Sequence, residues 1–94
     1  MTIVKWLPTA IDDLKRLHAF IEPHSPQAAA RAVDTLVEAA GSLAEFPEKG
    51  EPWEPEPAFR ELTVPFGARG YVIRYRTQAN RVIIVRVWRG LENR

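Results

Sequence analysis

The sequence predicts an α+β domain of order βααβββ, with a helical hairpin packed on one face of an antiparallel β-sheet. Three observations carry this expectation. Apolar residues recur at helical spacing through the first half, a proline-rich break occupies 47–57, and three β-prone runs follow it. A chain of 94 residues has room for one modest core, so 1–94 is read as a single domain.

Residues 2–6 form a short β-prone stretch, closed by Pro8. Beyond it, Ile11, Leu14, Leu17 or His18, and Ile21 mark a helix over 8–22. Asp12 and Asp13 are expected in its first turn, where carboxylates complement the helix dipole. Pro23 and Pro26 end that helix. Ser25 before Pro26 reads as an N-cap and first helical position, opening a second helix with the stripe Ala29, Val33, Leu36, Val37, Ala40, Leu43 and Ala44. So short a break predicts an antiparallel hairpin, and Ala28, Ala29, Ala30, Ala32, Ala39 and Ala40 permit close approach.

The second helix ends near Phe46, before a loop with four prolines at 47–57. Strands are expected at Phe59–Val64, 71–77 and 81–88, the last two joined through Gln78, Ala79 and Asn80. Without a crossover helix between them they should form an antiparallel meander. The expected core is Trp6, Leu14, Leu17, Ile21, Val33, Leu36, Val37, Leu43, Leu62, Ile73, Tyr75, Ile83 and Val85.

The absence of cysteine excludes disulfides, cysteine nucleophiles and thiolate zinc sites. The longest aliphatic run, 82–85, is far shorter than the roughly 20 residues of a membrane span, and the expected location is cytoplasmic. Charge is unevenly divided. Residues 1–58 carry five basic residues against ten acids, or −5, whereas 59–94 carry eight arginines against Glu61 and Glu92, or +6. Arginine pairs bidentately with carboxylate or phosphate, so the second half looks built to meet an acidic partner.

Strict alternation places Tyr71, Ile73, Tyr75, Ile83, Val85 and Val87 towards the helices. The other face then carries Val72, Arg74, Arg76, Val82, Ile84, Arg86 and Trp88. Aliphatic floor, aromatic edge and arginine posts make a peptide-binding groove. The alternative is that the C-terminal residues or the Trp53 loop fold back over that face. Catalytic candidates are weak. His18 and His24 fall on the first helix and the inter-helix turn, and Glu48, Glu51, Glu54 and Glu56 alternate with prolines in a solvated loop, so no metal site, cofactor or catalytic residue is expected.

The run Trp6-Leu7-Pro8-Thr9-Ala10-Ile11-Asp12-Asp13-Leu14, then Ser25-Pro26-Gln27-Ala28-Ala29 and Leu43-Ala44-Glu45-Phe46-Pro47-Glu48-Lys49-Gly50, resembles the ParE branch of the RelE/ParE toxin superfamily. Arg60-Glu61-Leu62, 71–76 and 82–87 match its strand motifs in order and spacing. The departures are Leu7, where the family has a Ser or Thr cap, leaving Thr9 or water to serve, and Trp88-Arg89-Gly90, where a histidine often precedes the glycine. The resemblance implies a type II toxin, neutralised as a hetero-oligomer by a ParD-like antitoxin on the groove residues named above. It further implies inhibition of DNA gyrase by binding, with Arg60, Arg86, Trp88 and Arg89 as target contacts and no sequence-specific nucleic-acid binding. Alternatives are a RelE-like ribosome-dependent mRNA endonuclease or a non-toxic interaction module. Against the nuclease, Val72 stands where that branch has arginine, and the lysine-rich strand keeps only Arg60.

Overall fold

The computed structural model describes residues 2–90, in the order β1 (Ile3–Trp6), α1 (Pro8–Ile21), α2 (Pro26–Ser42), β2 (Glu51–Pro52), β3 (Phe59–Val64), β4 (Tyr71–Gln78) and β5 (Arg81–Arg89). Each helix begins at a proline, whose missing N–H costs nothing in the first turn. Ser25 caps α2, its hydroxyl accepting from the Ala28 amide at 3.1 Å. No side chain caps α1. The Thr9 hydroxyl instead donates to the Val85 carbonyl at 3.0 Å, so it does not take the capping role the sequence left open for it.

The helical hairpin lies on one face of a five-stranded sheet of order β1-β5-β4-β3-β2. Strands β3, β4 and β5 form the expected antiparallel meander. The sheet as a whole is mixed, because β1 joins the edge parallel to β5 from Ile3↔Arg81 to Trp6↔Ile84. Helices and meander separate β1 from β5 in sequence, and that long connection is what a parallel pair requires. A two-residue β2 inside the proline-rich segment pairs antiparallel with Glu61 and Arg60.

One irregularity changes the face assignment. Arg74 pairs with Arg86, but Tyr75 pairs with Ile84, leaving Val85 as an extra residue in β5. The bulge reverses the alternation below it. Val82 and Ile84, expected on the outer face, therefore lie in the core against the helices, and Ile83, expected inside, pairs with Arg76 and Lys5 on the outer face. Val85 is only half-buried.

The core between hairpin and sheet is built on Leu17, Leu36, Leu43, Ile73, Tyr75, Val82, Ile84 and Val87, with Trp6, Leu14 and Ile21 packed at its margin. On α2 the buried stripe is Ala29, Ala32, Leu36 and Ala40 rather than one through Val33 and Val37. The small alanines let α1 and α2 approach, which turns Val37 outward to 48% exposure. Accordingly, Leu36→Ala and Ile84→Ala should each cost about 2–5 kcal/mol in urea denaturation, and Val37→Ala less than about 1 kcal/mol. Equal losses at Leu36 and Val37 would contradict this packing.

Candidate functional site on the outer face of the sheet

Cross-strand pairing brings Val72 beside Trp88, and Arg74 beside both Arg86 and Glu61, on the face away from the helices. These residues are layered. Trp88 and Val72 are buried, at 5% and 9% exposure, although neither belongs to the core beneath the helices. The Arg74 guanidinium lies 3.6 Å from the Trp53 ring centroid and 4.7 Å from that of Trp88. Glu61 holds it edge-on, accepting from its Nε at 3.0 Å and Nη2 at 2.7 Å. A guanidinium sandwiched between indoles and tied to a carboxylate has one orientation, with each cation–π contact contributing about 0.5–2 kcal/mol. The Trp53 loop thus does reach over the face, closing one side of it.

That loop is anchored from below. The Tyr75 hydroxyl donates to the Pro47 carbonyl and accepts from the Gly50 amide, both at 2.8 Å. Burial pushes the Tyr75 hydroxyl above its usual pKa, so it keeps the proton this double role needs. A Cβ at Gly50 would stand 2.8 Å from the Tyr75 ring and 2.9 Å from the Glu61 carbonyl, so only glycine fits.

Arg86 lies 5.1 Å from the Trp88 centroid and reaches round the edge of β5 to Asp13 on α1, its Nε donating at 2.8 Å. Asp13 also accepts from the Val87 amide at 2.8 Å and from Arg16 Nη2 at 3.2 Å. The geometry has a simple cause. β1 accompanies β5 only as far as Ile84, so 85–89 have no strand on that side. Backbone groups stranded there need partners. The Leu7 amide donates to the Ile84 carbonyl, Thr9 to that of Val85, Asp13 takes the Val87 amide, and Arg16 donates to the Val87 carbonyl. Side chains of α1 thus replace the missing strand. Burial alone would raise the Asp13 carboxyl, but Arg86, the Val87 amide and Arg16 outweigh it and hold the carboxyl below its usual pKa. Asp12 and Asp13 both lie past the first turn, so the dipole role expected of them does not apply.

Of the expected groove residues, Val72, Arg74, Arg86 and Trp88 converge, and Arg76 shares their face and is exposed. Lys5, Arg76 and Arg81 enter no ion pair among the described residues, and together they surround Ile83 with positive charge. Val82 and Ile84 are absent from this face. Two of the four expected target contacts lie elsewhere. Arg60 is pinned to the loop, donating to the Gly50 carbonyl at 2.7 Å, and Arg89 stacks on Phe20 of α1 at 4.0 Å. The sequence reading missed Asp13 and Glu61, and it gave the Trp53 loop only as an alternative, folding back over the face. Glu61 was findable by extending the alternation to β3, and Trp53 is conspicuous as an indole among prolines and acids, whereas nothing near Asp13 in sequence points to Arg86. His18 is half-buried on α1, and His24 is exposed after it. Among the described residues no cluster of His, Asp and Glu is arranged to hold a metal, and no helix is long and apolar enough to cross a membrane.

Comparison with known proteins shows which class this helix-backed α+β domain belongs to. Residues 4–94 match the family model described as the ParE toxin of the type II toxin-antitoxin system, parDE. Toxin RelE1 of Caulobacter vibrioides is 42% identical over 82 residues, spanning 87% of this chain and 86% of that protein. Toxin RelE3 of the same organism is 37% identical over 94 residues, the full length of both. A solved structure of a chromosomal ParDE TA system from P. aeruginosa superposes with a TM-score of 0.78 at 26% identity, covering 95% of this chain and 96% of that one. The chain belongs to the ParE toxin family of type II toxin-antitoxin systems.

Replacing Asp13 by alanine strands the Val87 amide and removes the buried partner of Arg86, and should cost about 3 kcal/mol or more. The carboxyl is more acidic folded than unfolded. Its contribution is therefore complete above the unfolded value, near pH 4, and lost as pH falls through the folded one. Urea midpoints should fall between pH 7 and pH 3 less steeply for Asp13→Ala than for the parent; parallel slopes would contradict the assignment.

Proposed function

We propose that this toxin acts by binding, that DNA gyrase is its target, and that an acidic segment of a ParD-like antitoxin neutralises it on the outer face of the sheet. One observation supports binding over catalysis. The carboxylates that reach the Arg74 and Arg86 guanidinium groups, Glu61 and Asp13, are each locked to them, and Glu51, which shares the face, sits beyond Glu61 on the edge strand β2. Cleavage of RNA by 2′-oxygen attack needs a proton acceptor beside the phosphate, and a protonated guanidinium cannot serve. The antitoxin would align carboxylates with Arg74, Arg76 and Arg86 and set apolar side chains over Val72, Ile83 and Trp88, with Ile83 taking the place first given to Val82 and Ile84.

The names of the Caulobacter relatives favour a second reading, a ribosome-dependent mRNA endonuclease, in which Arg74 and Arg86 would stabilise phosphate charge. Expression of the chain alone separates the two. The binding reading expects a DNA-damage response, and purified chain should accumulate cleaved DNA on gyrase without cutting mRNA on ribosomes. Ribosome-dependent cleavage with gyrase unaffected would overturn it, and unaffected growth would point to a non-toxic module.

On the antitoxin side, charge should set the encounter rate and buried contacts the residence time. Arg76→Glu should slow association about tenfold at low salt, while Trp88→Ala should mainly speed dissociation. Unchanged association for Arg76→Glu would remove the outer face from the interface.

A further inference from the structure

The outer face already carries an acidic segment with an aromatic anchor, and it is the protein's own. The run Glu51-Pro52-Trp53-Glu54-Pro55-Glu56-Pro57 holds three carboxylates, one indole and no cation. Glu51, Glu54 and Glu56 enter no ion pair among the described residues. The Trp53 ring lies 3.6 Å from the Arg74 guanidinium, whose other sides meet Trp88 and Glu61, and the Arg74 side chain is left 18% exposed. A carboxylate arriving from outside gains this guanidinium only when the indole moves aside.

The segment is attached in a way that lets it move. Its base is pinned, with Tyr75 holding Pro47 and Gly50 and Arg60 holding the Gly50 carbonyl. Past β2 the ties are local. The Trp53 amide donates to the Phe59 carbonyl at 2.9 Å, the Glu56 amide to the Trp53 carbonyl at 3.0 Å, and the Phe59 amide to the Glu56 carbonyl at 2.9 Å. Pro52, Pro55 and Pro57 have no N–H to give to the sheet. Trp53 is partly buried, meeting Phe59 edge-on at 6.4 Å, and residues 54–58 are exposed. Beside them opens a cleft of about 560 Å³, lined by Glu54 and Pro55 as well as by Glu61 and Thr63 of β3.

We infer that residues 51–58 form a strap that stands in for the acidic segment of the antitoxin on Arg74 and swings away when that segment binds, on the reading given above that the antitoxin occupies the outer face. The incoming segment presents the same pair of groups, an aromatic ring that takes the place of Trp53 on the guanidinium and carboxylates beside it. The strap also selects. A partner lacking the ring breaks the Trp53–Arg74 contact without replacing it, and every partner's affinity is reduced by the fraction of time the strap is closed.

Amide hydrogen exchange of the full chain, and its titration with the blocked peptide acetyl-Glu-Pro-Trp-Glu-Pro-Glu-Pro-amide, test the strap. The Trp53 amide should exchange through local opening, about a hundredfold or more faster than the Ile73 and Tyr75 amides of β4. Trp53 lies outside the core, so Trp53→Ala keeps the fold. The peptide should bind Trp53→Ala about tenfold more tightly than the parent, shifting the Val72, Arg74 and Trp88 amides, and adding Arg74→Gln should abolish the gain. Protection of the Trp53 amide equal to that of Ile73 would overturn the strap and leave antitoxin binding elsewhere on the outer face standing. Four other results would overturn the strap together with Arg74 as a partner contact: no binding to either protein, equal affinity for both, a gain that survives Arg74→Gln, or an equal gain for the peptide with glutamines in place of its glutamates.

Discussion

The carboxylate of Asp13, receiving the backbone amide of Val87 and the guanidinium of Arg86, is the joint on which the arrangement depends. β5 lies between β1 and β4, yet β1 stops at Ile84, and the second half of β5 would otherwise be an open edge. An open edge frays or recruits another chain. By turning Thr9, Asp13 and Arg16 towards that edge, α1 is tied along β5 beside the residues Arg86, Val87 and Trp88. Breaking the joint leaves a buried charge and a buried amide together, which is why a single atom pair weighs so heavily.

From this joint a continuous stack crosses the outer face: Asp13 to Arg86, Arg86 to Trp88, Trp88 to Arg74, and Arg74 to Trp53 and Glu61. Each arginine has its planar group fixed by one carboxylate and at least one ring. Fixed guanidinium groups lose little further entropy when a partner arrives, and that favours a surface made for recognition. The price is that Arg74 and Arg86 present charge already partly neutralised, leaving Arg76, Arg81 and Lys5 as the exposed cations of this face with no ion pair among the described residues. The ParE toxin family to which the chain belongs is represented here by a face whose two central arginines are each held by a carboxylate.

Most of the fold was legible in the sequence because it is written locally. Both helices, the Ser25 cap and the meander follow from periodicity, proline placement and strand alternation. The parallel pairing of β1 was not, since partner choice between chain ends is set by tertiary packing. The face assignment failed at one residue. Alternation is a rule of period two, and the bulge at Val85 shifts it by one, exchanging Ile83 for Val82 and Ile84. Nothing in Val82-Ile83-Ile84-Val85 marks which aliphatic residue is the extra one. The site was legible in part for the same reason: Arg74, Arg76, Arg86 and Trp88 lie outside the shifted stretch, whereas Asp13 meets its partners across more than seventy residues.

Amide hydrogen exchange at Val87 tests the central claim most directly, because it reads the hydrogen bond by which Asp13 closes the edge of β5. If Asp13 substitutes for the missing strand, the Val87 amide exchanges only through global unfolding, with the same opening free energy as the Ile73 and Tyr75 amides of β4. Exchange of Val87 at the rate of a frayed edge, while β4 stays protected, would show that α1 does not close this side of the sheet.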